Sequence, residues 1–137
     1  MYFVKTLVYL ATLLGFAMAQ SMQILSPPPG TTVTPGTNFT VSLQMSNYPE
    51  SIDIVAIVIG LQSCSSNSTC YPPNQVMGTV LYQGSFAPPF VLSANFSVAA
   101  PTSFPSGPAQ LGVINYFLVG AENENNLQFL NETLTVS

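Results

Sequence analysis

Few side chains in this sequence can do proton or metal chemistry: the carboxylates are Glu50, Asp53, Glu122, Glu124 and Glu132, the thiols are Cys64 and Cys70, and histidine is absent. General acid–base work needs carboxylates paired across a cleft. Glu50 with Asp53 and Glu122 with Glu124 are the only candidate pairs, and both sit beside turn signals, where solvated loop charges are expected. Glu50 and Asp53 lack the oxygen-ligand spacing of a calcium loop, and two thiols without histidine make no zinc site. Serines are plentiful, but the one basic residue is Lys5, so no base stands ready to activate them. No glycine-rich phosphate loop with its lysine occurs either. The expectation is a protein that is not an enzyme and carries no metal and no cofactor.

The cysteines have a simpler use. Cys64 and Cys70 enclose Ser65 to Thr69, and an oxidising compartment makes their single intramolecular pairing the default. A loop this small stabilises by about 2 kcal/mol in the chain-entropy model, so the bridge pins one loop and leaves the domain to its core. That compartment is read from the N-terminus, where Lys5 precedes an apolar run from Leu7 to Met18 with small residues at Ala17 and Ala19. This is the pattern of a signal peptide over residues 1–19, cleaved after Ala19. Residues 20–137 then form one domain, secreted and extracellular, and without an apolar tail a lipid-anchored C-terminus is not expected.

Removing the signal removes Lys5, and the remaining chain has no Lys, Arg or His. Such a surface cannot neutralise phosphates, which excludes nucleic acid and anionic membrane as partners. Its solvation falls to Ser, Thr, Asn, Gln and glycans, for which Asn38, Asn67, Asn95 and Asn131 each open an Asn-x-Ser/Thr acceptor triplet.

The elements that position these residues read as strands. The densest run, Ile52 to Leu61, is too short for a membrane span and too β-branched for a helix, and it delivers the chain into the cysteine loop through Gly60 and Gln62. We read it as the central strand, either covered on both faces or an inner strand with one partly exposed aliphatic face. Strands are also expected over 22–26, 38–45, 76–82, 90–99, 109–121 and 127–136, separated by Pro- and Gly-rich turns. In the second of these Phe39, Val41, Leu43 and Met45 alternate with polar residues, and Leu111, Val113, Asn115, Phe117 and Val119 share one face of another. About seven antiparallel strands with no helical period predict an all-β, immunoglobulin-like β-sandwich. The inter-sheet disulfide and core tryptophan of antibody domains are missing. Recognition is left to the surface, and Tyr48, Tyr71, Tyr82, Phe86, Phe90 and Phe104, all in or beside Pro-rich turns, are the candidate binding aromatics. The bland alternative for each is a cap on an open end of the sandwich.

Several segments carry a family resemblance. LSPPPGT from Leu25, VIGLQSC from Val58, GTVLY from Gly78, NFSV from Asn95, and AQL from Ala109 followed by LVGA from Leu118 resemble the fungal necrosis-inducing secreted effector proteins. The resemblance implies a small secreted protein acting on plants in the host apoplast or host cytoplasm. Its implied partners are receptor-like kinases or their associated kinases, its implied effect is dampened pattern-triggered immunity, and a monomer is expected. The alternative from another class is a wall or extracellular-matrix protein holding polysaccharide on its aromatic turns.

Overall fold

The computed structural model describes residues 21–46, 50–64 and 69–137, so the expected signal peptide, Tyr48 and Asn67 lie outside the described residues. Eight strands follow in chain order: β1 Met22–Ser26, β2 Thr32–Val33, β3 Phe39–Met45, β4 Ile52–Ser63, β5 Thr79–Gly84, β6 Ser93–Val98, β7 Gly107–Val119 and β8 Glu124–Val136. They form a three-stranded sheet in the order β1-β3-β6 and a five-stranded sheet in the order β2-β8-β7-β4-β5. The all-β sandwich expected from the sequence is what these sheets make.

The core lies between the sheets and follows the alternation of side chains along each strand. Val41, Leu43 and Met45 of β3, with Phe96 and Val98 of β6, face Leu111, Val113 and Phe117 of β7 and Ile57, Ile59 and Leu61 of β4. Leu134 and Val136 extend this layer onto β8. Three features depart from the sequence reading. First, β2 is an additional strand, and it pairs parallel to β8 through Thr32 with Thr135 and Val33 with Val136, so the sandwich is not wholly antiparallel. Second, the central strand of the larger sheet is β7; β4 is an inner strand between β7 and the edge strand β5. Third, the 76–82 strand begins only at Thr79, because residues before it lie on the sheet instead of within it.

The dense run in β4 also has a break in its period. Register against β7 slips between Ile54 and Ala56, so the core-facing set is Ile52, Ile54, Ile57, Ile59 and Leu61 and not one uninterrupted alternation. Such a bulge sets two residues of one strand opposite one of its partner and lets a side chain change faces. Val55, the extra residue, is consequently exposed.

One polar residue is built into the core. Asn115 of β7 is fully buried, with Nδ2 3.8 Å from the Met45 sulfur and no hydrogen-bond partner for Oδ1. Burying an amide oxygen without a donor costs about 1–3 kcal/mol, whereas an apolar residue of similar shape has no such penalty. Asn115→Leu is therefore expected to raise the unfolding free energy by about 1–2 kcal/mol, read from urea denaturation with m unchanged.

Candidate interaction site

The Cys64–Cys70 disulfide is present and closes the loop expected of it. Residues 71–78, which follow, form a strap across the outward face of the five-stranded sheet. Its seat is a flat spot made by two glycines: Gly60 of β4 and Gly112 of β7 are cross-strand partners on that face. A Cβ on Gly60 would stand 2.6 Å from the Met77 carbonyl oxygen, and one on Gly112 would meet Met77 Sδ at 3.2 Å and Pro73 Cβ at 3.4 Å. Gly78 closes the strap at φ +76°, with space for a Cβ blocked by the Leu61 carbonyl at 2.4 Å.

The polar half of the seat is Gln62, whose side chain is buried. Its Oε1 accepts the Tyr71 N–H at 2.8 Å, while Nε2 donates to the Tyr71 and Val76 carbonyls at 3.1 Å each. Gln110 Nε2 adds a bond to the same Tyr71 carbonyl at 2.9 Å. One amide thus satisfies three backbone groups that the strap would otherwise hide from water. On sequence Gln62 reads only as the exit from β4; the signal for its role is a pair of glycines at outward positions of two otherwise dense strands.

The candidate aromatics do not come together as one surface. Phe86 and Phe104 are buried and belong to the core cluster, which corrects their reading as contact residues: apolar rings beside Pro-rich turns cap the sandwich here. Tyr82 is half-buried, its ring 4.7 Å from that of Phe96, with Phe86 on Phe96 at 5.9 Å, and its hydroxyl donates to the Ser85 carbonyl. Tyr71, 63% exposed, and Phe90, 67% exposed, remain at the surface. They sit at opposite ends of the sandwich, Tyr71 beside Gln62 and Gln110, Phe90 two residues before Leu92, whose carbonyl receives the Met45 N–H.

The acceptor asparagines Asn38, Asn95 and Asn131 are all exposed. Asn95 faces outward from the three-stranded sheet opposite Ser42, with Asn38 at the start of the neighbouring strand, and Asn131 lies on β8 opposite Gly112. Among the carboxylates, Glu50, Glu122 and Glu124 line one open cleft beyond the β7–β8 turn. Among the described residues no group of three or more His, Cys, Asp or Glu is arranged to hold a metal ion. Glu132 stands apart: it is half-buried on the inward side of β8 opposite Leu111, and desolvation raises its pKa above the ordinary 4.5.

The class that the geometry defines is an all-β sandwich with one disulfide-closed loop at the end of β4. The Nis1 family model matches residues 17–135, and the chain belongs to the Nis1 family. That agrees with the resemblance to necrosis-inducing secreted effectors carried by the sequence segments. No curated protein matches the chain. Among solved structures it is similar to fibronectin(III)-like modules of Clostridium thermocellum CbhA, at 10% identity over 85% of this chain and 93% of that one, with a TM-score of 0.45. It is also similar to Bacillus amyloliquefaciens CBM33 in complex with Cu(I), at 10% identity over 87% of this chain and 60% of that one, with a TM-score of 0.46.

Two outcomes follow. Gln62→Leu strands the Tyr71 amide and the Tyr71 and Val76 carbonyls, so the strap amides should exchange faster with deuterium and stability should drop by about 1–3 kcal/mol. For Glu132, a carboxyl pKa raised by folding means that the native state holds its proton more tightly than the unfolded chain. The resulting destabilisation is complete above the raised pKa and relieved as pH falls toward and below 4.5. Glu132→Gln should abolish this contribution, seen as a flatter stability profile across that acidic window.

Proposed function

We propose that this protein is a secreted fungal effector that works by binding, with receptor-like kinases of plants or their associated kinases as its targets and suppression of pattern-triggered immunity as its effect. The observation that carries the proposal is the family match across residues 17–135. The chemistry supports binding over catalysis, since residues 20–137 contain no His, Lys or Arg to serve as base, nucleophile or oxyanion partner. Secretion is supported by the N-terminal apolar run and by the Cys64–Cys70 disulfide, which an oxidising pathway forms and keeps. Glycans on the exposed Asn38, Asn95 and Asn131 would solvate a surface that has very few charges.

The test uses the oxidised, glycosylated protein spanning residues 20–137. It is titrated against the purified cytoplasmic domain of a plant receptor-like kinase and an associated kinase, and delivered to leaf tissue challenged with a microbial elicitor. Saturable binding to one of the kinases together with a reduced oxidative burst is the expected result. Retention on insoluble chitin or glucan with neither kinase binding nor a reduced burst would overturn it in favour of a wall component.

A further inference from the structure

The two outward faces of the sandwich differ in kind. On the three-stranded sheet the outward residues of β3 and β6 are polar, Thr40, Ser42 and Gln44 beside Ser93, Asn95 and Ser97, and the exposed apolar side chain is Leu25 on the edge strand β1. On the five-stranded sheet the strap covers the end around Gly60 and Gly112, where Asn131 of β8 also faces out, and toward the β7–β8 turn the outward face is largely apolar. Val55, Leu127 and Phe129 are 41%, 60% and 43% exposed. Register lays the half-buried Ile114 between Val58 and Phe129, and Tyr116 between Ala56 and Leu127, so the apolar side chains run in rows across β4, β7 and β8. Free sheet faces of this kind mark contact surfaces when they are contiguous and rimmed by polar groups.

The rim here has one sign. Asp53 is the carboxylate on this face, opposite Leu118, while Glu50, Glu122 and Glu124 line the cleft at the end of the sheet past Val119 and Gly120, with Glu124 in register with the core-facing Val119. Four of the five carboxylates therefore border one end of one sheet, in a chain with no cation after Lys5. We propose that this face docks a protein surface of apolar side chains bordered by Lys or Arg. Charge complementarity selects that occupant: a second copy would bring two acidic rims together, and an anionic membrane would be repelled. The proposal rests on the reading of the protein as a binder and adds to it the surface and the chemistry of the partner.

The experiment follows amide resonances of the labelled 20–137 protein while it is titrated with a synthetic peptide alternating Leu and Lys, and with its Leu and Glu counterpart. The Lys peptide should shift Val55, Leu118, Leu127 and Phe129, bind about tenfold more weakly to Phe129→Ser or Leu127→Ser, and weaken as salt is raised. The triple variant Asp53→Asn, Glu122→Gln, Glu124→Gln should lose most of that salt dependence. Both serine variants should stay folded, with amide resonances away from this face unchanged, because neither Leu127 nor Phe129 belongs to the core cluster. Equal binding of the Glu peptide, or shifts centred elsewhere, would overturn the proposal. So would a dimer in sedimentation that Phe129→Ser disperses, since the occupant would then be a second copy. The kinase titration separates the two readings: binding to the kinase that survives both serine variants and the acid triple removes this surface and leaves the effector reading intact. Peptide shifts on this face without kinase binding do the reverse.

Discussion

The placement of one buried amide over two glycines governs the outward side of the larger sheet. Gln62 supplies a donor group and an acceptor to a segment whose own backbone groups have no ladder to join, and Gly60 with Gly112 leaves the depth that Met77 and Pro73 occupy. The disulfide acts beside this seat, joining Cys64 at the end of β4 to Cys70 at the start of the strap. Its contribution through chain entropy is small for so short a loop. What it adds is direction, because a strap entering beside Gln62 meets its hydrogen-bonding partners without search. β5 follows from the strap, so the edge of the five-stranded sheet is placed by the same contact.

The bulge in β4 has a comparable reach. Without it, an even alternation from Ile52 would send Ile57, Ile59 and Leu61 outward and bring Ala56, Val58 and Gly60 into the core. The slip between Ile54 and Ala56 keeps all the large branched residues inside and leaves Val58 and Val55 on the other side. The core thereby gains volume, and the outward face stays apolar near the β7–β8 turn while remaining flat enough near Gly60 to take the strap.

How much of this the sequence disclosed depended on whether a segment had two chemically different faces. β3 was legible residue by residue, since Val41, Leu43 and Met45 alternate with Ser42 and Gln44 and the structure buries the first set. β7 was legible for the same reason, including the inward position of Asn115. β4 was not, because valine, isoleucine and alanine stand on both sides and the pattern has no polar marker at the bulge. The stretch from Val76 imitated a strand by alternating Val76, Gly78 and Val80; tertiary hydrogen bonds to Gln62 overrode it. β2, two residues long, carries no period at all. Of the site, the disulfide followed from counting cysteines, and the exposed positions of Asn38, Asn95 and Asn131 followed from strand parity or turns. The aromatics were the weakest part, because proximity to proline says that a ring is near a turn and leaves open whether it points into the end of the core, as Phe86 and Phe104 do.

The short parallel pairing of β2 with β8 bears on how the protein responds to tension. β1 begins at the end where Met22 meets Met45, whereas β8 runs to the other end, where Ser137 donates to the Val33 carbonyl. A pull applied between Ser21 and Ser137 is directed along the strands. The bonds joining residues 30–33 to residues 133–137 then lie across the line of force and carry it together, in shear. A hairpin pulled at its open end would release its bonds one after another. The smallest strand of the fold thus ties the stretch after β1 to β8 in a shear geometry.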